Sequence, residues 1–165
     1  MIGSEICAAA RKLAPKIQLR DVSMILRQME KRRLVQCLNP GRTSGQLFCF
    51  TPKGRRLMKK AFEVELPPPP EGIDWRSYSF VVRAKVRRLT LTALAAVPLN
   101  NQEGIATTDL RNRSPTLKSI SWNAISRAVA ELRGRRLLVT SKNGVRPQRL
   151  RTSRVGQSIV NCLNQ

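Results

Sequence analysis

A block of fourteen residues occurs twice in this chain, 103 positions apart, so any fold it adopts must build the same local structure twice. The first copy is Val22-Ser23-Met24-Ile25-Leu26-Arg27-Gln28-Met29-Glu30-Lys31-Arg32-Arg33-Leu34-Val35. The second is Ile125-Ser126-Arg127-Ala128-Val129-Ala130-Glu131-Leu132-Arg133-Gly134-Arg135-Arg136-Leu137-Leu138. The serine and the Arg-Arg-Leu triplet are identical. The apolar positions coincide as Leu19/Trp122, Val22/Ile125, Leu26/Val129, Met29/Leu132 and Leu34/Leu137. Spacings of three and four residues put these side chains on one stripe of a helix, which predicts that the stripe, Leu19 and Trp122 included, faces a core. The apolar dipeptide after Arg-Arg starts a strand, and a turn with Gly and Asn leads to a second strand. Each copy then reaches a hydroxyl residue three positions before a glycine, Thr51/Gly54 and Ser153/Gly156, at an offset of 102.

Around the repeat the punctuation is regular. Ser4 to Leu13 reads as a short helix with Ser4 as N-cap, and Pro15 as the turn after it. A helix follows from about Gln18 to Arg33, with Asp21 favourable in its first turn. Strands are expected over Leu34–Leu38 and Gln46–Phe50, and Thr51-Pro52 opens another helix, since proline at the first helical position loses no needed N–H. Pro67-Pro68-Pro69-Pro70 cannot continue that helix and reads as a stiff polyproline spacer. Beyond it, one long helix is expected from Ser79 to Val97, and Asn100–Gly104 as a loop. A short helix follows from Thr107 or Thr108 to Arg113, ended by Pro115. Ser121 caps a helix to about Arg135, Leu137–Ser141 and Gln148–Thr152 form a hairpin, and a closing helix runs from Ser153 to Leu163. The implied domains are 1–66, a Pro-rich linker 67–74, and 75–165.

The order helix–helix–helix–strand–turn–strand–helix is that of a winged helix-turn-helix. The expected fold is therefore mainly α with small β-hairpin wings, an α+β chain of two tandem units. The first lacks its first helix, because Ser4-Glu5-Ile6 matches Thr108-Asp109-Leu110 and a long helix precedes only the latter. Its apolar stripe then needs another cover: the helix from Ser79, the segment around Trp75 and Tyr78, or a second subunit in a homodimer. Residues 1–66 alone are expected not to fold, and residues 71–165 to fold.

Charge narrows the partners. Thirty-one Lys and Arg stand against ten Asp and Glu, a net charge of +21, and 22 of the cations are arginine. Residues 1–66 carry +9 and residues 67–165 carry +12, so the excess belongs to both lobes. Arginine's planar fork binds phosphate or a guanine edge bidentately. The expected partner is double-stranded DNA.

Residues 22–58 carry a family resemblance in Val22-Ser23, Leu26, Met29, Leu34-Val35 and Phe50-Thr51-Pro52-Lys53-Gly54. The progression resembles that of archaeal and bacterial MarR-like and PadR-like transcriptional regulators, and it implies sequence-specific DNA binding and transcription regulation. The chain departs from that pattern at Arg33 and Arg136, where such regulators usually have a small residue.

With one helix face in the core, the opposite face is free to enter a major groove. It carries Arg20, Met24, Arg27 and Lys31 in the first copy, and Asn123, Arg127, Ala130 and Gly134 in the second. Asn can pair with adenine and Arg with guanine, while Ala130 permits close approach. Ser126 and its counterpart Ser23 lie at the margin, where they could donate to phosphates or simply tolerate the crossing, and Ser121, the N-cap, is a further candidate DNA contact. On the hairpins, Lys142, Arg146 and Arg149 surround an Asn-Gly turn, and the first hairpin has only Arg42 at its tip; cations there can follow phosphates or enter a narrow minor groove.

Other chemistries find little purchase. Histidine is absent, Cys7, Cys37, Cys49 and Cys162 form no Cys-x-x-Cys pair, and no Gly-rich phosphate loop is present. No enzyme activity, metal or cofactor is expected. Cys37 and Cys49, on the two strands of the first hairpin, could face each other, as free thiols in a reducing cytosol. No stretch approaches the ~20 apolar residues of a membrane span, and no signal peptide is visible, so a cytoplasmic, nucleoid-associated protein is expected. Two other classes stay open: a protein-interaction scaffold of tandem winged helices, and a sequence-indifferent nucleoid protein, RNA-binding protein or replication initiator.

Overall fold

A computed structural model describes residues 3–96, 104–140 and 149–164. The chain is mixed α+β and divides into two compact units, Met1–Glu71 and Gly72–Gln165. The division falls inside the Pro-rich stretch, after the four prolines.

The first unit comprises α1 (Gly3–Arg11), α2 (Leu19–Lys31), β1 (Val35–Cys37), β2 (Phe48–Phe50) and α3 (Pro52–Phe62). Asp21 in the first turn of α2 accepts a hydrogen bond from the Gln18 N–H at 2.9 Å, which satisfies one orphan donor. Val22 and Leu26 pack with Cys7 of α1 into a small core, joined by Ile6, Ile17 and Phe48. Antiparallel β1 and β2 pair Val35 with Phe50 and Cys37 with Phe48. Asn39 ties the connection between them from within: wholly buried, it accepts from the Leu47 N–H at 2.8 Å and donates to the Gly45 carbonyl at 3.0 Å.

The second unit comprises α4 (Trp75–Val82), α5 (Lys85–Ala95), β3 (Ile105–Ala106), α6 (Thr107–Arg113), α7 (Pro115–Lys118), α8 (Trp122–Gly134), β4 (Leu138–Thr140), β5 (Arg149–Thr152) and α9 (Arg154–Leu163). Its three-stranded antiparallel sheet has the order β3-β5-β4. Leu91 and Leu94 of α5 sit in one core with Leu110, Leu117, Ile125, Val129, Leu132 and Ile159. Each fully buried aliphatic side chain of this kind contributes about 1.5–3 kcal/mol relative to exposure.

The repeat is visible in backbone detail. α2 and α8 both end in a Schellman motif: Arg33 N–H bonds to Glu30 O (2.8 Å) and Leu34 N–H to Met29 O (2.8 Å). In the second unit Arg136 N–H bonds to Arg133 O (2.8 Å) and Leu137 N–H to Leu132 O (3.0 Å). The chain then runs directly beneath the start of the last helix. Thr51 N–H reaches Leu34 O at 3.0 Å and Ser153 N–H reaches Leu137 O at 2.9 Å. Each hydroxyl caps its helix by accepting from the glycine three residues on, Gly54 or Gly156, at 3.1 Å. A Cβ on either glycine would collide with the carbonyl oxygen of Leu34 or Leu137. That close approach is why the Thr/Ser-x-x-Gly spacing recurs.

Several sequence expectations change. The helix expected over Ser79–Val97 is two helices. The first of them, α4, begins at Trp75, upstream of Ser79, because Asp74 caps it by accepting from the Arg76 and Ser77 N–H groups at 3.1 and 3.2 Å. Ala84 is extended (φ −128°, ψ 113°) and breaks the run. The break lets α4 pack against α5, with the Phe80 ring beneath the guanidinium groups of Arg87 (3.9 Å) and Arg135 (4.9 Å). Val97 and residues 100–103 lie outside the described residues. Pro115 does more than end α6: it opens α7 at the position where proline fits. Two-residue β3 is too short to show a period.

Leu19 and Trp122 are exposed, contrary to the stripe reading. Each is the first residue of its helix, one turn beyond the core that begins at Val22 and Ile125. Cys37 and Cys49 do not face each other: Cys37 pairs with Phe48 and Cys49 with Gln36, so the alternation of the pleat sends the two thiols to opposite faces. Both are free, and partial burial raises the pKa of Cys37.

Candidate nucleic-acid interface

α8 is the better anchored of the two repeated helices, because one side of it is wholly committed to the core. Ile125 and Leu132 are fully buried, and Ala128 and Val129 nearly so. The opposite stripe, Asn123, Arg127, Ala130 and Gly134, is exposed at intervals of four, three and four residues. Neither Asn123 nor Arg127 makes a side-chain hydrogen bond or ion pair with any described residue. Their polar atoms are thus available to a ligand without breaking an internal contact. Ser121 is occupied as the N-cap, its hydroxyl accepting from Ala124 N–H at 3.4 Å, and Ser126 is half-buried at the margin.

α2 presents the equivalent face. Arg20, Met24, Arg27 and Lys31 are all exposed, and Arg20 lies 3.7 Å from Asp21. Ser23 donates to the Leu19 carbonyl at 2.8 Å, one turn back in its own helix. Arg42, in the connection between β1 and β2, is half-buried.

On the second hairpin, Lys142 and Arg146 lie outside the described residues, whereas Arg149 opens β5 and is exposed. β5 alternates cleanly: Leu150 and Thr152 face the core, and Arg149 and Arg151 face solvent. Arg151 was missed in the sequence, although the period-2 pattern Arg-Leu-Arg-Thr carries the signal. The first hairpin has Phe48-Cys49-Phe50 at the matching place.

A second missed pair is Arg33 and Arg136. Both have left-handed backbone, φ 58° and 56°. They occupy the position after each helix where glycine normally sits, and an L-residue there costs roughly 1–2 kcal/mol. The signal in the sequence was an arginine at the position after each helix where a small residue was expected. Both side chains are exposed.

Among the described residues, two groups of the second unit are perturbed: burial raises the pKa of the Cys162 thiol in α9, and Asp74 is shifted the other way. At Asp74 partial burial pushes the carboxyl up, but hydrogen bonds from Ser77 and from the Arg76 N–H, with Arg135 nearby, outweigh it and hold the pKa below its usual value. Arg87 makes an ion pair with Glu131 at 3.4 Å. Among the described residues no three His, Cys, Asp or Glu side chains are grouped to hold a metal ion. Nor is any described helix long and apolar enough to cross a membrane.

Comparison with family models, with curated proteins and with solved structures returns no match for this chain.

Proposed function

We propose that this chain is a double-stranded DNA-binding protein, a sequence-specific transcription regulator made of two tandem winged helix-turn-helix units. In this reading α2 and α8 are the recognition helices, the β1–β2 and β4–β5 hairpins are the wings, and the resemblance to MarR-like and PadR-like regulators reflects that architecture. The protein would act at the nucleoid.

The observation that carries the reading is the two-sided character of α8. Ile125 and Leu132 are fully buried, while Asn123, Arg127 and Ala130 are exposed and unengaged, in a chain of net charge +21. A helix held rigidly by one face and offering Asn and Arg from the other matches the chemistry of base edges in a major groove. Arg149 and Arg151 on the solvent face of β5 add cations where a wing would follow phosphates.

The test is duplex binding as a function of salt. If ~6–10 phosphates are neutralised, affinity falls by about three to five decades between ~50 and ~200 mM salt. A nearly flat response would favour the scaffold reading, and equal affinity for selected and random duplex would favour a sequence-indifferent binder.

A further inference from the structure

The first unit carries an open apolar groove of about 600 Å³, built entirely from its own residues. Leu13 of the α1–α2 connection, Ile25 and Met29 of α2, Phe48 and Phe50 of β2, and Pro69 of the tetraproline run are among its walls. The tetraproline run is thereby part of a surface and not a bare spacer.

The second unit shows what such a groove holds. There α5 packs against α8, α9 and β5. Positions matched by the repeat differ accordingly. Ile25 is 44 % exposed and its counterpart Ala128 only 3 %; Leu57 is 48 % exposed and its counterpart Ile159 0 %. Phe48 is half-buried where Leu150 is buried. Among the described residues, the first unit has no helix of its own in the place that α5 takes in the second.

We infer that this groove is a docking site for an amphipathic α-helix of another protein, with an aliphatic stripe about as long as α5 and an acidic outer face. The duplicated unit supplies the shape, since the 11 helical residues of α5 close the equivalent surface there. Charge supplies the sign. Residues 1–71 hold fourteen Lys and Arg against six Asp and Glu, and the exposed cations Arg11, Lys12 and Lys16 flank Leu13 and Ile17 of the groove. Two such units meeting groove to groove would set like charges against each other, which disfavours a second copy as occupant. This inference does not rest on DNA binding.

The probe is a synthetic, stapled peptide of the α5 sequence carrying Lys85→Glu, Arg87→Glu and Arg88→Glu, titrated into the full-length protein and followed by fluorescence anisotropy. Saturable binding is expected, weakened at least about tenfold in the protein variants Leu13→Glu and Ile25→Glu. Leu13 is 91 % exposed, so its substitution leaves folding intact. Duplex DNA affinity should be the same in Leu13→Glu, which lies outside both proposed recognition helices, as in the parent, and this separates the site from the recognition face. The inference is overturned if the peptide fails to bind at about 1 mM, or if Leu13→Glu and Ile25→Glu bind it as well as the parent does. Equal binding of the unsubstituted, basic α5 peptide would overturn the acidic character. Self-association of the parent that Leu13→Glu abolishes would overturn it in favour of a second copy. An apolar dye that the peptide cannot displace would overturn it in favour of a small ligand.

Discussion

The two units share a backbone plan and differ in what they do with its outer surfaces. Both run helix, Schellman turn with a left-handed arginine, hairpin, and a helix capped by Thr51 or Ser153. In the second unit α5 closes the core and β5 turns Arg149 and Arg151 to solvent. In the first, β2 is Phe-Cys-Phe and the apolar surface is left open as a groove. Features set by backbone collision thus persist across the repeat, whereas side chains that face outward are free to diverge. The second unit therefore makes the stronger candidate reader of DNA, and the first the stronger candidate holder of a partner.

The comparison breaks most visibly if the units are separated. Residues 72–165 are expected to unfold cooperatively by themselves. Residues 1–71, whose buried apolar side chains among the described residues are Cys7, Val22, Leu26, Val35 and Leu47, are expected to show no cooperative transition as a monomer. A sharp thermal transition in a monomeric 1–71 fragment, seen by circular dichroism, would mean that the open groove costs the unit little.

Next in size are the glycines beneath the last helices. Gly156→Ala is expected to destabilise the second unit by about 2–4 kcal/mol, because the colliding atom is a backbone carbonyl that cannot move aside. Gly54→Ala should act in the same direction on the first. Denaturant melts that leave either midpoint unchanged would show that the shared close approach is not needed.

On DNA, Arg127→Ala and Asn123→Ala are each expected to cost roughly 1–3 kcal/mol on a cognate site and to relax preference at a base or two. Arg27→Ala on the first unit should cost less. Binding-site selection with each variant checks this, and a larger loss for Arg27→Ala would reverse the ranking of the two units.

The smallest effect is the most specific to the repeat. Arg33→Gly and Arg136→Gly are expected to stabilise the protein by up to about 1 kcal/mol each, since glycine relieves the left-handed strain but adds unfolded-state entropy. A lowered melting temperature in either would show that the arginine side chain holds more than its backbone costs.

Much of this architecture could be read along the chain. The Thr51-Pro52 and Ser121 helix starts, the two hairpins and the exposed stripe Asn123, Arg127 and Ala130 all follow from spacing and cap chemistry within a few residues. The stripe reading failed at Leu19 and Trp122 because periodicity gives a side chain's direction around the helix axis but not where along that axis the core ends. The break at Ala84 was illegible for a related reason. Nothing in Val-Val-Arg-Ala-Lys-Val opposes a helix locally, and the turn is where Phe80 meets Arg87 and Arg135 from separate elements.

By itself, then, the sequence determined the helices and strands that the two copies share, that the pattern occurs twice, and that both copies are basic, because these depend on neighbours three or four residues apart and on composition. Only the tertiary structure decided that α5 closes one unit while the other keeps an open groove, and that Gly54 and Gly156 lie against Leu34 and Leu137. Those outcomes depend on which surfaces distant segments cover, and burial is a property of the packed chain, not of any residue's local neighbourhood.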